Sequence, residues 1–290
     1  MGYSTISFPG LGIELNPPSH FSLGPFTIYL YGVIIAVGLT LAVIYGMRRS
    51  HQFGLTQDDL LDGVLGIVPV AILCARLYYC IFQWDLYKAN PISILYIWEG
   101  GLAIYGGVIG AALGILVFCR IKKVSPGAVL DLVALGFLIG QSIGRWGNFF
   151  NREAFGAVTE SFLRMGLTDS YGFTEYYHPT FLYESVWNAI GFAALHFLSK
   201  KRLFDGQIAL SYAAWYGLGR ALIEGLRMDS LYWGSFRVSQ VLAAASFVIA
   251  CGVLVWQLNR PHDPENLFVN RLAAAKATEA EEPTEEPTEE

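Results

Sequence analysis

The chain has 290 residues, 54% of them apolar and only 15% charged, with a mean hydropathy of +0.44. This balance excludes an ordinary soluble domain, because the apolar residues fall in blocks near the roughly 20 residues a helix needs to cross hydrocarbon. The formal charge of −5 is carried largely by EAEEPTEEPTEE, Glu279 to Glu290; the remainder is near neutral, and no basic surface suggests a nucleic-acid partner.

The N-terminal stretch to Gly24 has neither a basic start nor a compact apolar core, so it is expected as a lead-in to the first span rather than a cleaved signal. A first span is predicted over about 26–46, ending in Arg48 and Arg49, and a second over about 60–82, interrupted by Pro69 and carrying Arg76. The apolar piece Ile92 to Trp98 is too short to cross. A third span covers about 102–119 and precedes Arg120, Lys122 and Lys123; a fourth begins near Gly127 and runs into GRWGN. The polar segment 149–178 is too long for a structureless loop and is expected to fold on the outer side. Fifth, sixth and seventh spans follow over about 179–199, 206–226 and 238–258, with Lys200, Lys201 and Arg202 between the fifth and sixth.

The connections rich in Lys and Arg all fall on one side, which by the positive-inside rule is the cytoplasm. The expectation is an all-α integral membrane protein with seven transmembrane helices, N-terminus outside and C-terminus cytoplasmic. Residues 1–260 form the membrane domain, with 149–178 extracytoplasmic; 261–290 form an acidic cytoplasmic tail, expected to be disordered because it has nothing to bury. Cys74, Cys80, Cys119 and Cys251 lie in apolar runs without metal-ligand spacing and read as small buried hydrophobes.

Charges inside such spans are costly and face protein, water or a ligand. Tyr216, Arg220, Glu224 and Arg227, spaced by four, four and three, share one helical face. At 1.5 Å per residue, Arg220 lies roughly 9 Å below the outer end of its span. A self-neutralising Arg220–Glu224 pair is the plainer alternative, and Arg227 at the helix end reads as an interfacial anchor. GRWGNFFNREAFG, Gly144 to Gly156, adds Arg145, Asn148, Asn151 and Glu153 at the end of an apolar run. Two guanidinium groups from separate helices would form a fork suited to a phosphate. In GGLAIYGGVIGAALG, the spacing of Gly106, Gly110 and Gly114 is that of a helix-packing face, while Tyr105 offers a phenol. In HPTFLYES, Glu184 has a structural explanation as a carboxylate near a helix N-terminus. Tyr31 and Arg76 are further candidates in the first two spans.

Together, GRWGNFFNREAFG, YGLGRALIEGLR, HPTFLYES and GGLAIYGGVIG resemble the bacterial prolipoprotein diacylglyceryl transferases, over most of Tyr31 to Arg227. The resemblance implies an inner-membrane enzyme that moves the diacylglyceryl group of phosphatidylglycerol to the lipobox cysteine of a prolipoprotein signal peptide, forming a thioether and releasing glycerol phosphate. It implies no metal or organic cofactor, and membrane lipids as surroundings. By motif match it makes Arg145, Arg220 and Tyr105 the catalytic set. Tyr31, Asn148, Asn151, Glu153, Gly156, Glu224 and Arg227 become the phosphatidylglycerol-binding residues, Glu224 orienting Arg220. The better-known enterobacterial pattern has a histidine where this chain has Tyr105, and a phenol of reference pKa about 10 is a poor base at neutral pH. Tyr105 is therefore expected to hydrogen-bond phosphate or thiol, with His178 a possible alternative base. A transporter or flippase of an anionic lipid or metabolite is the competing class, disfavoured because no internal repeat is visible.

Overall fold

The computed structural model describes residues 3–24, 26–228, 232–234 and 236–281. In chain order these form strands β1 (Thr5–Phe8), β2 (Ile13–Leu15), β3 (His20–Leu23) and β4 (Phe26–Tyr29), then helices α1 (Leu30–Arg49), α2 (Gln57–Phe82), α3 (Trp84–Tyr87), α4 (Ile104–Lys122) and α5 (Pro126–Asn151). After them come β5 (Met165–Thr168), β6 (Thr174–Tyr177), α6 (Thr180–Ser199), α7 (Gln207–Glu224), β7 (Tyr232–Trp233), β8 (Phe236–Arg237), α8 (Val238–Leu258) and α9 (Phe268–Glu281). Among the described residues, five helical stretches are long and apolar enough to cross a membrane: Leu30–Phe53, Gln57–Phe82, Ile104–Lys122, Pro126–Asn151 and Val238–Leu258. The protein is thus a mostly helical membrane protein. Helices α6 and α7 form where the fifth and sixth spans were expected but are not among these five, and polar residues such as Asn188 and Arg220 lie along them.

The chain divides into two compact units. The first comprises the described residues of Met1–Tyr45, Val133–Leu203 and Gln207–His262. Within it α1 lies against α5 through small residues: Gly38 meets Gly140, Gly144 meets Ile35, and the space a side chain on Gly147 would fill is taken by the Tyr31 ring. Helices α5 and α6 are joined by reciprocal serine bonds, Ser142 Oγ to the Ser185 carbonyl at 2.9 Å and Ser185 Oγ to the Ser142 carbonyl at 2.8 Å. Helices α6 and α7 are clasped by Trp187 and Trp215, which stack with centroids 4.4 Å apart. Each indole donates to the other's main-chain carbonyl at 3.0 Å. Gly191 and Gly219 supply the notches that receive the two indoles.

The N-terminal stretch expected as a lead-in is folded. Its first two strands join the segment expected on the outer side in an antiparallel sheet of order β2-β1-β5-β6, with Ile6 opposite Leu167. Ile6, Phe8, Met165, Leu167 and Tyr177 form a buried cluster with Phe149 of α5 and Phe181 of α6. Seven apolar side chains buried together explain why so short a segment orders: their burial offsets the backbone entropy. The Tyr177 hydroxyl donates to Glu175 Oε2 at 2.6 Å, and burial first, then this bond, pushes its phenol pKa up.

The second unit comprises Gly46–Leu132, Phe204–Gly206 and the chain from Asp263. Helix α2 starts three residues before the expected position because Thr56 and Asp59 form a reciprocal capping box. Gly106, Gly110 and Gly114 of α4 lie against Cys74, Ala71 and Ile67 of α2, so the small-residue face is a packing face. Arg76, 4% exposed, donates to the carbonyls of Ser93, Ile94, Tyr96, Gly100 and Gly101. It is a clamp that shapes the loop leading into α4.

The tail from residue 261 departs from the disordered expectation. Asp205 Oδ2 accepts the Phe268 amide at 2.9 Å, and Gly54 leaves room for the Phe268 ring, so α9 forms over Phe268–Glu281. The signal was local: Phe268, Val269 and Leu272 give the start of this helix an apolar face before the acidic run begins. Residues 282–290 lie outside the described residues.

Candidate active site

At one end of the first unit, α5 and α7 finish while α6 begins. This brings three helix termini together, and the sequence places a charged side chain near each. Glu184 is at the centre: Arg145 Nη2 lies 2.5 Å from its Oε2, Arg220 Nη1 2.9 Å from its Oε1, and Arg227 Nη1 3.4 Å from Oε1. Arg220 Nη2 also lies 2.5 Å from Glu224 Oε2, one helical turn away. The two carboxylates are nearly inaccessible, at 4% and 2% side-chain exposure, whereas Arg145 and Arg220 keep 23% and 17%. The guanidinium groups therefore form the accessible face of a buried acidic base.

Glu184 thus meets three guanidinium groups, and Glu224 meets one of them as well. Arg237 donates to the Glu224 carbonyl and closes the end of α7. Buried ion pairs of this kind are costly to desolvate, and breaking one partner costs about 3–5 kcal/mol. Guanidinium groups held on buried carboxylates with one side accessible have the geometry that suits carboxylate or phosphate oxygens.

A second chain of polar contacts leaves Arg145. Its Nη1 donates to Asn148 Oδ1 at 3.5 Å; Asn148 Nδ2 and Asn151 Nδ2 both donate to Glu153 Oε1, at 3.0 and 3.3 Å. After α5 the chain turns through Arg152 and Ala154, both with left-handed φ, 54° and 57°. For residues other than glycine that conformation costs about 1–2 kcal/mol each. The turn is held because Arg152 donates to Ser4 O, Asn16 Oδ1 and Pro17 O, and Thr180 Oγ1 donates to Ala154 O. Gly156 then passes between the start of α6 and the end of α7. A Cβ there would lie 2.8 Å from His178 Cβ and 2.9 Å from Leu226 O. The neighbouring amides, Gly156 N and Ala157 N, donate to His178 O and Leu226 O.

Of the residues singled out from sequence, the structure joins Arg145, Arg220, Glu224 and Arg227 directly, and Asn148, Asn151 and Glu153 through Arg145. Gly156 fixes the backbone beside Arg227, and Tyr31 packs on Gly147, two residues from Arg145. Tyr105 is in the second unit, near the start of α4 and 43% exposed. Two sequence readings are corrected. Arg227 is not an interfacial anchor, since it is 9% exposed and faces Glu184. Glu184 is past the first turn of α6, and its partners are guanidinium groups rather than a helix dipole. The available signal was charge balance: three arginines in the motifs had one obvious buried carboxylate, Glu224, and needed another.

These features define a polytopic helical membrane protein with a buried arginine–glutamate cluster where α5 and α7 end and α6 begins. The family model described as prolipoprotein diacylglyceryl transferase matches residues 18–256. A phosphatidylglycerol–prolipoprotein diacylglyceryl transferase of Limosilactobacillus reuteri is 44% identical over 255 residues, 85% of this chain and 92% of its own. The enzyme of the same name from Listeria monocytogenes serotype 4b is 41% identical over 269 residues, 89% and 97% of the two chains. That of Lactiplantibacillus plantarum is 43% identical over 263 residues, 87% and 92%. The chain belongs to the prolipoprotein diacylglyceryl transferase family.

Proposed function

We propose that this chain transfers the diacylglyceryl group of phosphatidylglycerol to the lipobox cysteine thiol of prolipoproteins. The sulfur attacks the glyceryl carbon next to the phosphate and a carbon–sulfur bond forms. The carbon–oxygen bond breaks, its electron pair staying with the phosphate. Glycerol phosphate leaves as a monoester, and the thiol proton passes to it or to solvent. The observation that carries this reading is the convergence of Arg145 and Arg220 on opposite oxygens of Glu184, with both guanidinium groups partly accessible. A preorganised donor aimed at charge that grows in the transition state is worth about 3–4 kcal/mol. The same field favours the thiolate of an incoming cysteine, whose unperturbed pKa is about 8.5.

In this reading Arg145 and Arg220 hold the phosphate, and Glu184 and Glu224 orient them. Asn148, Asn151, Glu153, Gly156, Arg227 and Tyr31 shape the lipid site, and Tyr105 is a hydrogen-bond donor included on its motif alone. Seven spans are proposed, with α6 and α7 crossing as well. Their polar residues Glu184, Asn188 and Glu224 are buried, while Val186, Ile190, Phe197 and Leu222 are exposed, as a lipid-facing surface requires. The charge pattern of the connections supports an outside N-terminus, a cytoplasmic C-terminus and a location in the bacterial cytoplasmic membrane. The test is incubation of the purified chain with phosphatidylglycerol and a lipobox peptide. A diacylglyceryl mass gain on the cysteine is expected; its absence in a correctly folded preparation refutes the activity.

A further inference from the structure

One to two helical turns inside the guanidinium layer, the same three helices carry further polar residues that the transfer chemistry does not use. Gln141 precedes Arg145 by four residues, Asn188 follows Glu184 by four, and Tyr212 precedes Arg220 by eight. Because α5 and α7 end at the site and α6 begins there, all three offsets run in the same direction, away from the helix termini. Helical periodicity keeps each residue on the face of its charged partner. Gln141 Nε2 donates to the Tyr212 hydroxyl at 2.9 Å. Its Oε1 is buried with no hydrogen-bond partner among the described residues, and so is Oδ1 of Asn188, a residue only 2% exposed.

Buried acceptors left unmet are rare in folded proteins, and these two share a chemical requirement, a donor such as a hydroxyl group. A hydrocarbon chain cannot supply it; water or an alcohol can. We propose that Gln141 and Asn188 accept the hydroxyls of the donor lipid's glycerol headgroup. The guanidinium layer then reads the phosphate, and the carboxamide layer reads the alcohol esterified to it. The rise of one turn, about 5.4 Å, suits the reach from a phosphorus atom to the hydroxyls of a three-carbon alcohol attached to it. The inference rests on the transferase reading and deepens it, assigning headgroup selection to two residues outside the arginine cluster.

The test compares two donors in the full chain with a lipobox peptide: phosphatidylglycerol, and phosphatidylethanol with the same acyl chains and phosphate but no headgroup hydroxyl. The wild-type chain is expected to prefer phosphatidylglycerol in kcat/KM by about 10- to 100-fold, the scale of one or two buried hydrogen bonds. In Asn188→Leu and in Gln141→Leu the ratio should fall by about three- to tenfold in each, and in the double variant to within about threefold of unity. Variants that keep the wild-type ratio, including any that lose both donors equally because the oxygens hold only a structural water, would overturn the proposal. If neither variant folds, the wild-type ratio alone decides, since an enzyme active on both donors without preference contradicts headgroup reading. A wild-type chain inactive on every donor is a different failure, refuting the transferase reading and this inference with it.

Discussion

Arg220 and Glu184, thirty-six residues apart in sequence and on different helices, lie 2.9 Å apart in the first unit. Glu184 presents its other oxygen to Arg145, so one carboxylate fixes the spacing of two guanidinium groups. Its position follows from the Trp187–Trp215 clasp one turn away, which sets the register of α6 against α7. Glu184→Gln keeps the shape and removes the charge, taking the carboxylate from Arg145 and leaving Arg220 with Glu224 alone. A stability loss of about 3–5 kcal/mol is expected, seen as a lowered Tm in detergent, together with a fall in turnover of about 100-fold or more. Unchanged turnover would remove Glu184 from the site.

Removing either guanidinium group should be worse for chemistry than for folding. Arg145→Ala and Arg220→Ala are each expected to lower kcat by about 10²–10³-fold, the loss typical of a missing transition-state donor. Lysine at either position should recover only part, because an ammonium cannot repeat the planar fork. Single-turnover transfer to a lipobox peptide, followed by mass spectrometry, measures this. Near wild-type rates in either alanine variant would exclude that arginine from the mechanism.

Gly156→Ala tests the backbone that closes the end of α7. The added methyl would meet His178 Cβ and Leu226 O at under 3.0 Å, so main chain must move. Such overpacking costs about 1–3 kcal/mol, and the shift is transmitted to Arg227 across the Gly156–Arg227 bridge. A lowered Tm with a raised KM for phosphatidylglycerol is expected. A variant with both values unaltered would show that the segment tolerates a side chain.

Tyr105→Phe should lower turnover by less than about tenfold, the loss of one hydrogen bond, and leave the pH profile of kcat unchanged. Complete inactivity with intact lipid binding would instead make the phenol an obligatory participant.

Much of this protein was legible in the sequence, for identifiable reasons. Crossing hydrocarbon requires long apolar runs, so α1, α2, α4, α5 and α8 announce themselves by composition, and the family motifs mark Arg145 and Arg220 because charges are scarce inside such runs. Helical periodicity placed Glu224 beside Arg220. The N-terminal strands were not legible, since β1 is stabilised by β5, some 160 residues away, and four residues show no pattern until their partner is known. The start of α9 was legible in part, in the apolar Phe268, Val269 and Leu272, but the residues that anchor it, Asp205 and Gly54, are distant in sequence.

What the sequence determined by itself was the kind of solvent the chain folds in, the places where charge is spent inside it, and the family it belongs to. All three are properties of single segments. Which arginines meet, and that Glu184 joins them, was decided only by tertiary structure, because a carboxylate buried against guanidinium groups from two other helices acquires its role from packing. The same carboxylate read alone is no more than a favourable charge near the start of a helix.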